Sequence, residues 1–379
     1  MSAGERAGFE ARVSALPLVD HHVHGAFAGE LDRAGVELAL NEASPDPVPE
    51  WMTQFDSQVG FAVRRWCAPV LDLPPHASAD AYCARRAELG HVEVTARLLR
   101  AAGVSDWVVD TGFGAESLLD VPAMAEVTGG RAHEIVRLES VAERLAASGV
   151  SSVDYADTFL AELAAATRDA VGVKTVLAYR CGFDLDWRRP DPAEVRAAAG
   201  RWVDSGQRRL TDPVLLRFGI DAAVELGLPI QFHTGFGDRD LDLHRSNPIL
   251  LLDFLRDPRL AEIPVLLLHC YPYHREAGYL AQAFHNVYLD VGLAVNFLGA
   301  RSSALVAESL ELAPFAKLLY SSDAWGLPEL HHLGAVLWRR GVISTVGRWI
   351  EDGDWSAADA ERVITMIAQD NPKRVYRLR

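Results

Sequence analysis

The stretch Val265-Leu-Leu-Leu-His269 is a short, unbroken apolar run that ends in an ionisable residue, and similar runs recur along the chain. Runs without alternation of polar and apolar residues suit strands that are buried on both faces of a parallel sheet. Between them lie stretches such as residues 158–170 and 193–202, whose apolar spacing is typical of crossover helices. The runs occupy residues 16–22, 107–112, 134–138, 171–178, 229–233, 265–269, 287–291 and 318–323.

Eight apolar runs separated by helical patterns predict an α/β fold, the (β/α)8 or TIM barrel. A doubly wound open sheet is the alternative, although the sequence has no GxGxxG turn. A bare barrel needs about 250 residues, so we expect one domain over residues 1–379 that carries insertions. The largest insertion is predicted at about residues 25–105, with helix near residues 59–65 and 79–101. Because it would leave the carboxyl end of the first strand, we expect it to cap the barrel mouth.

The composition indicates an ordinary globular core and an acidic surface. Apolar residues make up 49% of the chain, and 52 acidic residues outnumber 37 basic ones, which gives a net charge of −15. This excess repels phosphate backbones and anionic lipid, so we expect neither a nucleic-acid nor a membrane partner. The four cysteines form no CxxC pair, and the N-terminus is charged where a signal peptide would be apolar. We therefore expect a cytoplasmic protein.

Histidines and one aspartate close several of the apolar runs. His22 and His24 end the first run, and residues separated by one position in a strand point to the same side. His233, His269 and Asp323 close the fifth, sixth and eighth runs. For each residue alone, a hydrogen-bonded core histidine or a helix-capping aspartate is the simpler interpretation. Since the carboxyl ends of barrel strands converge, the set together predicts a site for a divalent metal.

Three further segments have distinctive sequence motifs: Phe232-His-Thr-Gly-Phe-Gly-Asp238, His269-Cys-Tyr-Pro-Tyr-His-Arg-Glu-Ala-Gly278 and Tyr320-Ser-Ser-Asp-Ala324. With the HxH pair, they make the chain resemble the amidohydrolase superfamily, in particular the amidohydrolase-2 branch and the amidohydrolase domain of FluG-like proteins. The ending Asp370-Asn-Pro-Lys-Arg-Val-Tyr376 is similar to the Asn-x-x-Arg-x-Tyr ending common in that branch. The resemblance implies a metal-dependent barrel enzyme. It leaves the reaction open, because the superfamily contains hydrolases, decarboxylases and sugar isomerases.

Lys174 lies inside the fourth run, and a lysine in a buried strand is unusual. The resembled superfamily places a bridging ligand on this strand, which implies a carbamylated Lys174 that holds two metal ions. Burial would favour the modification, because it lowers the pKa of the amine and only the neutral amine reacts with CO₂. The alternative for Lys174 is a neutral or ion-paired core lysine. The matching metal site holds one ion on His22, His24, His233 and Asp323, with His269 behind these ligands or facing the substrate.

Arg180 follows the fourth run, at the expected barrel mouth. A guanidinium there could bind a substrate carboxylate through two parallel hydrogen bonds. A salt bridge at the rim of the barrel is the alternative interpretation.

The leading functional hypothesis is a metal-dependent hydrolase that uses a metal-activated water. It would cleave an amide C–N bond, or a related ester or lactone, of a small substrate that bears a carboxylate. Asp323 is the predicted catalytic proton acceptor and donor, and His269 would hold a second metal or stabilise the developing oxyanion. The metal is expected to be Zn, with Mn, Fe or Ni as alternatives, as one or two ions. A decarboxylase or isomerase with the same ligands is the second hypothesis, and a catalytically silent binding scaffold is the third. We expect a homodimer, which is common among soluble barrels.

Overall fold

The protein is described by a computed structural model that covers residues 3–378. Seven parallel strands form one curled sheet in sequence order: β1 (Leu18–Val23), β2 (Val104–Asp110), β3 (Arg131–Arg137), β4 (Gly172–Thr175), β5 (Ile230–His233), β6 (Val265–Leu268) and β7 (Val287–Leu289). Each strand overlaps one of the predicted runs. Strands β1, β4, β5 and β6 are buried along their whole length, as expected for a sheet that is covered on both faces. The predicted α/β class is therefore confirmed.

The eighth predicted strand, residues 318–323, lies between the two edges of this sheet without forming a regular strand. On one side, the backbone N–H of Leu319 donates to the Leu289 carbonyl oxygen over 3.1 Å. On the other side, the N–H of His21 donates to the Tyr320 carbonyl oxygen over 3.2 Å. The segment thus joins β7 to β1, and the arrangement is consistent with a TIM barrel.

Eighteen α-helices occur within residues 3–378. They are α1 (Ala3–Ala15), α2 (Arg33–Ala39), α3 (Gln58–Ala62), α4 (Ala79–Leu89), α5 (His91–Ala101), α6 (Val121–Thr128), α7 (Leu138–Ala147), α8 (Tyr155–Ala166), α9 (Leu177–Cys181), α10 (Pro192–Ser205), α11 (Pro213–Leu226), α12 (Leu252–Leu255), α13 (His274–Ala283), α14 (Ala294–Phe297), α15 (Ser302–Ser309), α16 (Pro328–Asp352), α17 (Ala357–Thr365) and α18 (Asn371–Tyr376). In this described part of the chain, no helix combines the length and apolar character needed to cross a bilayer.

Local sequence explains why the helices begin where they do. The side chain of Asp191 accepts the backbone N–H of Glu194, and the Glu194 side chain accepts the N–H of Asp191, each over 2.9 Å. This reciprocal cap and Pro192 in the first turn start α10. Helices α8 and α10 confirm the two crossover helices that the apolar spacing predicts.

The chain between β1 and β2 contains α2 to α5, together with short turns and loops. Helix α4 is fixed to α16 by a buried ion pair, in which Arg86 Nε lies 2.6 Å from Glu329 Oε1. A loop after α2 reaches a different part of the molecule, since Ala43 O accepts the backbone N–H of Arg239 over 2.9 Å. Arg239 follows β5 on the carboxyl-terminal side of the sheet. That this whole stretch is an insertion that caps the mouth stays a prediction.

Candidate metal centre

Every strand of the sheet, and the segment in the eighth position, carries a buried ionisable residue at or just beyond its carboxyl end. Because these ends meet at one edge of a parallel sheet, the side chains gather in a small volume. In chain order they are His22 and His24, Asp110, Arg137, Lys174, His233, His269, Asp290 and Asp323.

Asp323 is the centre of the cluster. Ligand atoms of His22, His24 and Asp323 all lie within 4.8 Å of one another. Oδ1 of Asp323 is 2.9 Å from Nε2 of His22 and 3.8 Å from Nε2 of His24. Its other oxygen is 3.0 Å from Nδ1 of His269. Three histidines from two strands therefore surround one carboxyl group.

His233 joins this group through its ring. The centroid of its imidazole lies 4.7 Å from that of His269 and 4.4 Å from that of the Tyr179 ring. Its side chain is buried, and Nε2 has no hydrogen-bond partner among the described residues. A buried nitrogen without a partner costs about 1–3 kcal/mol, which a bound ion or water would offset.

A neighbouring backbone carbonyl fixes which nitrogen His24 offers to the cluster. His24 Nδ1 lies 3.1 Å from the Asp110 carbonyl oxygen. A carbonyl oxygen only accepts hydrogen bonds, so Nδ1 carries the hydrogen and Nε2 keeps its lone pair. Metal-binding histidines are commonly oriented in this way.

The electrostatics of the cluster also fit a cation. Burial lowers the pKa of His24 to about 3 and holds the pKa values of His22, His233 and His269 well below the usual range. The imidazoles are therefore neutral and able to donate lone pairs. Burial also raises the pKa of Asp323 to about 7, and a divalent cation would lower it again. Neutral imidazoles and a carboxylate form a donor set that suits Zn, Mn, Fe or Ni.

Lys174 lies at the edge of the cluster, with Nζ 2.9 Å from Nε2 of His22 and 3.3 Å from Oδ2 of Asp110. Arg137 donates to the same Oδ2 through Nη2 over 2.6 Å. Burial lowers the pKa of Lys174. A low pKa favours carbamylation, whereas the adjacent Asp110 carboxylate disfavours a second negative group and favours the ammonium. Carbamylation of Lys174 stays a prediction.

Two of the clustered residues have unusual backbone conformations. The φ angle is 66° at His269 and 46° at Asp323, and Cys270 has a φ of 57°. A residue other than glycine in this left-handed region costs of the order of 1–3 kcal/mol. The left-handed backbone at Asp323 also ends the extended eighth segment at this residue.

Arg180 lies apart from this group of contacts. It belongs to α9, and its Nη2 is 3.1 Å from Oε1 of Glu143 on α7. The guanidinium is thus already in an ion pair, as in the alternative interpretation of Arg180 as a salt-bridge residue. Its role in binding a substrate carboxylate stays a prediction.

Sequence reasoning missed several residues of the site. Asp110, Arg137 and Asp290 each lie within two residues of the end of an apolar run, so a signal like that of the histidines was present for them as well. Glu42 had no such signal, because it lies in an irregular loop. Burial and the nearby carboxylates of Asp323 and Asp238 raise the pKa of Glu42 to about 8.

Comparison with known proteins agrees with this geometry. The family model described as "Amidohydrolase" matches residues 122–378. The chain belongs to the amidohydrolase family. Protein FluG of Emericella nidulans is 31% identical over 225 residues, which are 55% of this chain and 26% of FluG. The match thus spans about a quarter of the length of that relative, and the predicted resemblance is confirmed.

Two solved structures are similar to this chain to different degrees. A Lactobacillus casei protein described as a metal-dependent hydrolase is 28% identical, with a TM-score of 0.86 and coverage of 98% of this chain and 99% of the other. Uronate isomerase of Thermotoga maritima has a TM-score of 0.62 at 15% identity, with coverage of 99% and 98%. This second likeness is one of fold alone. Proteins described with different reactions therefore share this overall fold.

Proposed function

We propose that this amidohydrolase is a metal-dependent hydrolase that cleaves an amide C–N bond, or a related ester or lactone, of a small substrate. The observation that carries the proposal is the convergence of His22, His24, His269 and Asp323 in one buried cluster. Burying four ionisable groups so close together would be costly if they did not bind an ion. We also propose that the chain forms a complete (β/α)8 barrel, with the loop that contains Glu42 at its mouth.

The ion would be held by His22, His24 and Asp323, with His269 and His233 beside them. Zn is our first choice, and Lys174 would join the ligands if it is carbamylated. When bound, a divalent ion lowers the pKa of water towards ~7 and polarises a carbonyl group.

The remaining steps fall to side chains of this chain. Asp323 accepts the proton from the attacking water and returns it to the leaving nitrogen. The Asp323 carboxylate accepts the hydrogen of His269 Nδ1, which lies 3.0 Å from Oδ2, so His269 Nε2, which has no partner among the described residues, keeps its lone pair and would hold a second ion. Arg137 neutralises Asp110, as does Lys174 in its ammonium form, which keeps negative charge away from the attacked carbonyl.

The test combines metal analysis with isotope labelling. Protein purified without a chelator should contain at least one divalent ion per chain. It should also hydrolyse members of a panel of N-acyl amino acids and lactones, with one solvent oxygen in the product when the reaction runs in H₂¹⁸O. His24→Ala should abolish metal binding and turnover. The control His133→Ala should keep both, because His133 pairs with Asp106 outside the cluster.

Two outcomes would contradict the proposal. Protein without metal and without turnover would favour a binding scaffold. Protein that holds metal but converts sugar acids without uptake of solvent oxygen would instead be an isomerase.

A further inference from the structure

Beside the ligand cluster, four buried polar side chains form a chain of hydrogen bonds across the barrel. Gln231 Nε2 donates to the hydroxyl oxygen of Tyr376 over 2.8 Å. That hydroxyl is 3.1 Å from Nδ1 of His21, and Nε2 of His21 is 3.0 Å from Oδ2 of Asp290. None of the four residues is more than 4% exposed. The chain therefore links α18, the last helix of the described residues, to residues that adjoin the cluster.

The direction of each hydrogen bond in this chain can be deduced. Gln231 Nε2 also lies 3.0 Å from the backbone oxygen of His21. A carbonyl oxygen only accepts, so the nitrogen of Gln231, and not its oxygen, faces this side. The Tyr376 hydroxyl accepts from that nitrogen and gives its own hydrogen to Nδ1 of His21. The ring hydrogen of His21 is then on Nε2, where it is donated to Asp290.

Asp290 connects this chain to a residue of the cluster. Its Oδ1 accepts the backbone N–H of His269 over 3.1 Å and that of Gly292 over 2.7 Å. His269 is held there in its left-handed conformation, with φ of 66°. A shift of Asp290 would therefore move the backbone from which the His269 imidazole projects.

We propose that Tyr376, His21 and Asp290 are positioning residues that act through His269 and tune how the cluster holds its divalent ion. This inference rests on the metal-binding part of the proposed function. Outer hydrogen-bond partners of metal ligands typically change metal affinity by about 10–100-fold. The Tyr-ending motif near the C-terminus thus contributes to the site as well as to packing.

Substitutions that keep the size of the side chain test the hydrogen-bond chain from Tyr376 through His21 to Asp290. Tyr376→Phe keeps the ring and removes the hydrogen that His21 Nδ1 accepts. Asp290→Asn keeps the shape, but its amide nitrogen would face the donor Nε2 of His21. His21 can relieve that clash only by moving its hydrogen to Nδ1, which then faces the Tyr376 hydroxyl. The two substitutions therefore disturb the same chain, and their effects should not add.

The experiment uses the full chain loaded with Co²⁺, whose visible spectrum reports the ligand arrangement. Tyr376→Phe and Asp290→Asn should each weaken Co²⁺ binding by about 10-fold and shift the visible bands. The double variant should be no weaker than the worse single variant. Tyr155→Phe is the matched control, because Tyr155 is equally buried and its hydroxyl has no hydrogen-bond partner in the described structure. It should change neither affinity nor spectrum.

Unchanged affinity and spectrum in Tyr376→Phe would overturn the inference, and so would additive losses in the double variant. If Asp290→Asn fails to fold, Tyr376→Phe alone decides the matter. A wild-type protein that binds no Co²⁺ would instead overturn the proposed function, and with it the basis of this inference. A metal-binding protein with unaffected variants would leave the proposed function intact.

Discussion

The amine of Lys174 lies 2.9 Å from Nε2 of His22, closer than to the carboxylate of Asp110 at 3.3 Å. The chemical state of Lys174 therefore decides how metal binds at His22. An ammonium would compete with the ion for the lone pair of His22, whereas a carbamate would let His22 bind one of two ions.

Lys174→Ala tests the two states. If Lys174 is carbamylated, the variant should lose about half of its metal, and a small carboxylic acid such as propionate should restore part of the activity. If Lys174 is an ammonium, the metal content should stay the same or rise, because a competing charge is removed. Elemental analysis of both proteins separates these outcomes. Lys317→Ala is the control, since that buried lysine donates to the backbone oxygens of Ala281 and Phe284.

Asp323→Asn tests the proton transfer. The amide keeps the shape and one oxygen near His22, but it cannot act as a base. We expect much of the metal to remain and kcat to fall by about 10²-fold or more, the scale of general acid–base catalysis. Steady-state kinetics with parallel metal analysis measures both. A metal-loaded variant with near wild-type kcat would rule out this role for Asp323.

Arg180→Lys tests the predicted contact with a substrate carboxylate. Lysine keeps the charge and loses the bidentate geometry, so KM should rise several-fold for anionic substrates and little for neutral analogues. Arg201→Lys is the matched control, because Arg201 forms a similar ion pair with Asp212 over 3.0 Å. Equal losses on charged and neutral substrates would mean that Arg180 serves only its pair with Glu143.

Glu42→Gln tests the burial of the loop that we propose for the barrel mouth. The pKa of Glu42 is raised from 4.5 to about 8 in the folded protein. The folded state therefore holds more protons than the unfolded state between these pH values, and stability falls as pH rises through this window. In metal-free protein, the variant should match the wild type below about pH 4 and become more stable by ~1–2 kcal/mol above pH 8, a reduced value because the side chain is partly exposed. Urea unfolding across this range measures the difference.

The exposed Glu50 lies in the same stretch of chain and offers a control. Glu50→Gln should give a difference in unfolding free energy that does not grow with pH. A flat profile for Glu42→Gln would show that the loop is open to solvent.

The strand-end pattern in the sequence was enough to predict most of the cluster. An apolar run followed by an ionisable residue requires only local information, and parallel strands then bring the ends together. The same reasoning could not place Arg180, because the chain leaves β4 at Thr175 and turns into α9. The helix directs Arg180 towards Glu143, and no apolar run encodes that turn.

Contacts between distant parts of the chain lay beyond sequence reasoning. Tyr376 and His21 are separated by 355 positions, and only the packing of α18 against β1 brings them together. The loop of Glu42 is likewise placed by its contact with Arg239. Neither contact follows from composition or periodicity, because each depends on tertiary packing.

The left-handed backbone at His269, Cys270 and Asp323 lowers the stability of the fold in exchange for a preorganised site. The chain is locally frustrated where it must present its side chains, so the metal-free protein carries free energy that a more relaxed backbone would not. Cys270 is the member of this group with no proposed role, and glycine adopts its φ without strain. Cys270→Gly would therefore relax the turn while every candidate ligand is kept. A protein selected for heat resistance alone would be expected to accept such a change, whereas one selected for a rigid, preformed site would not.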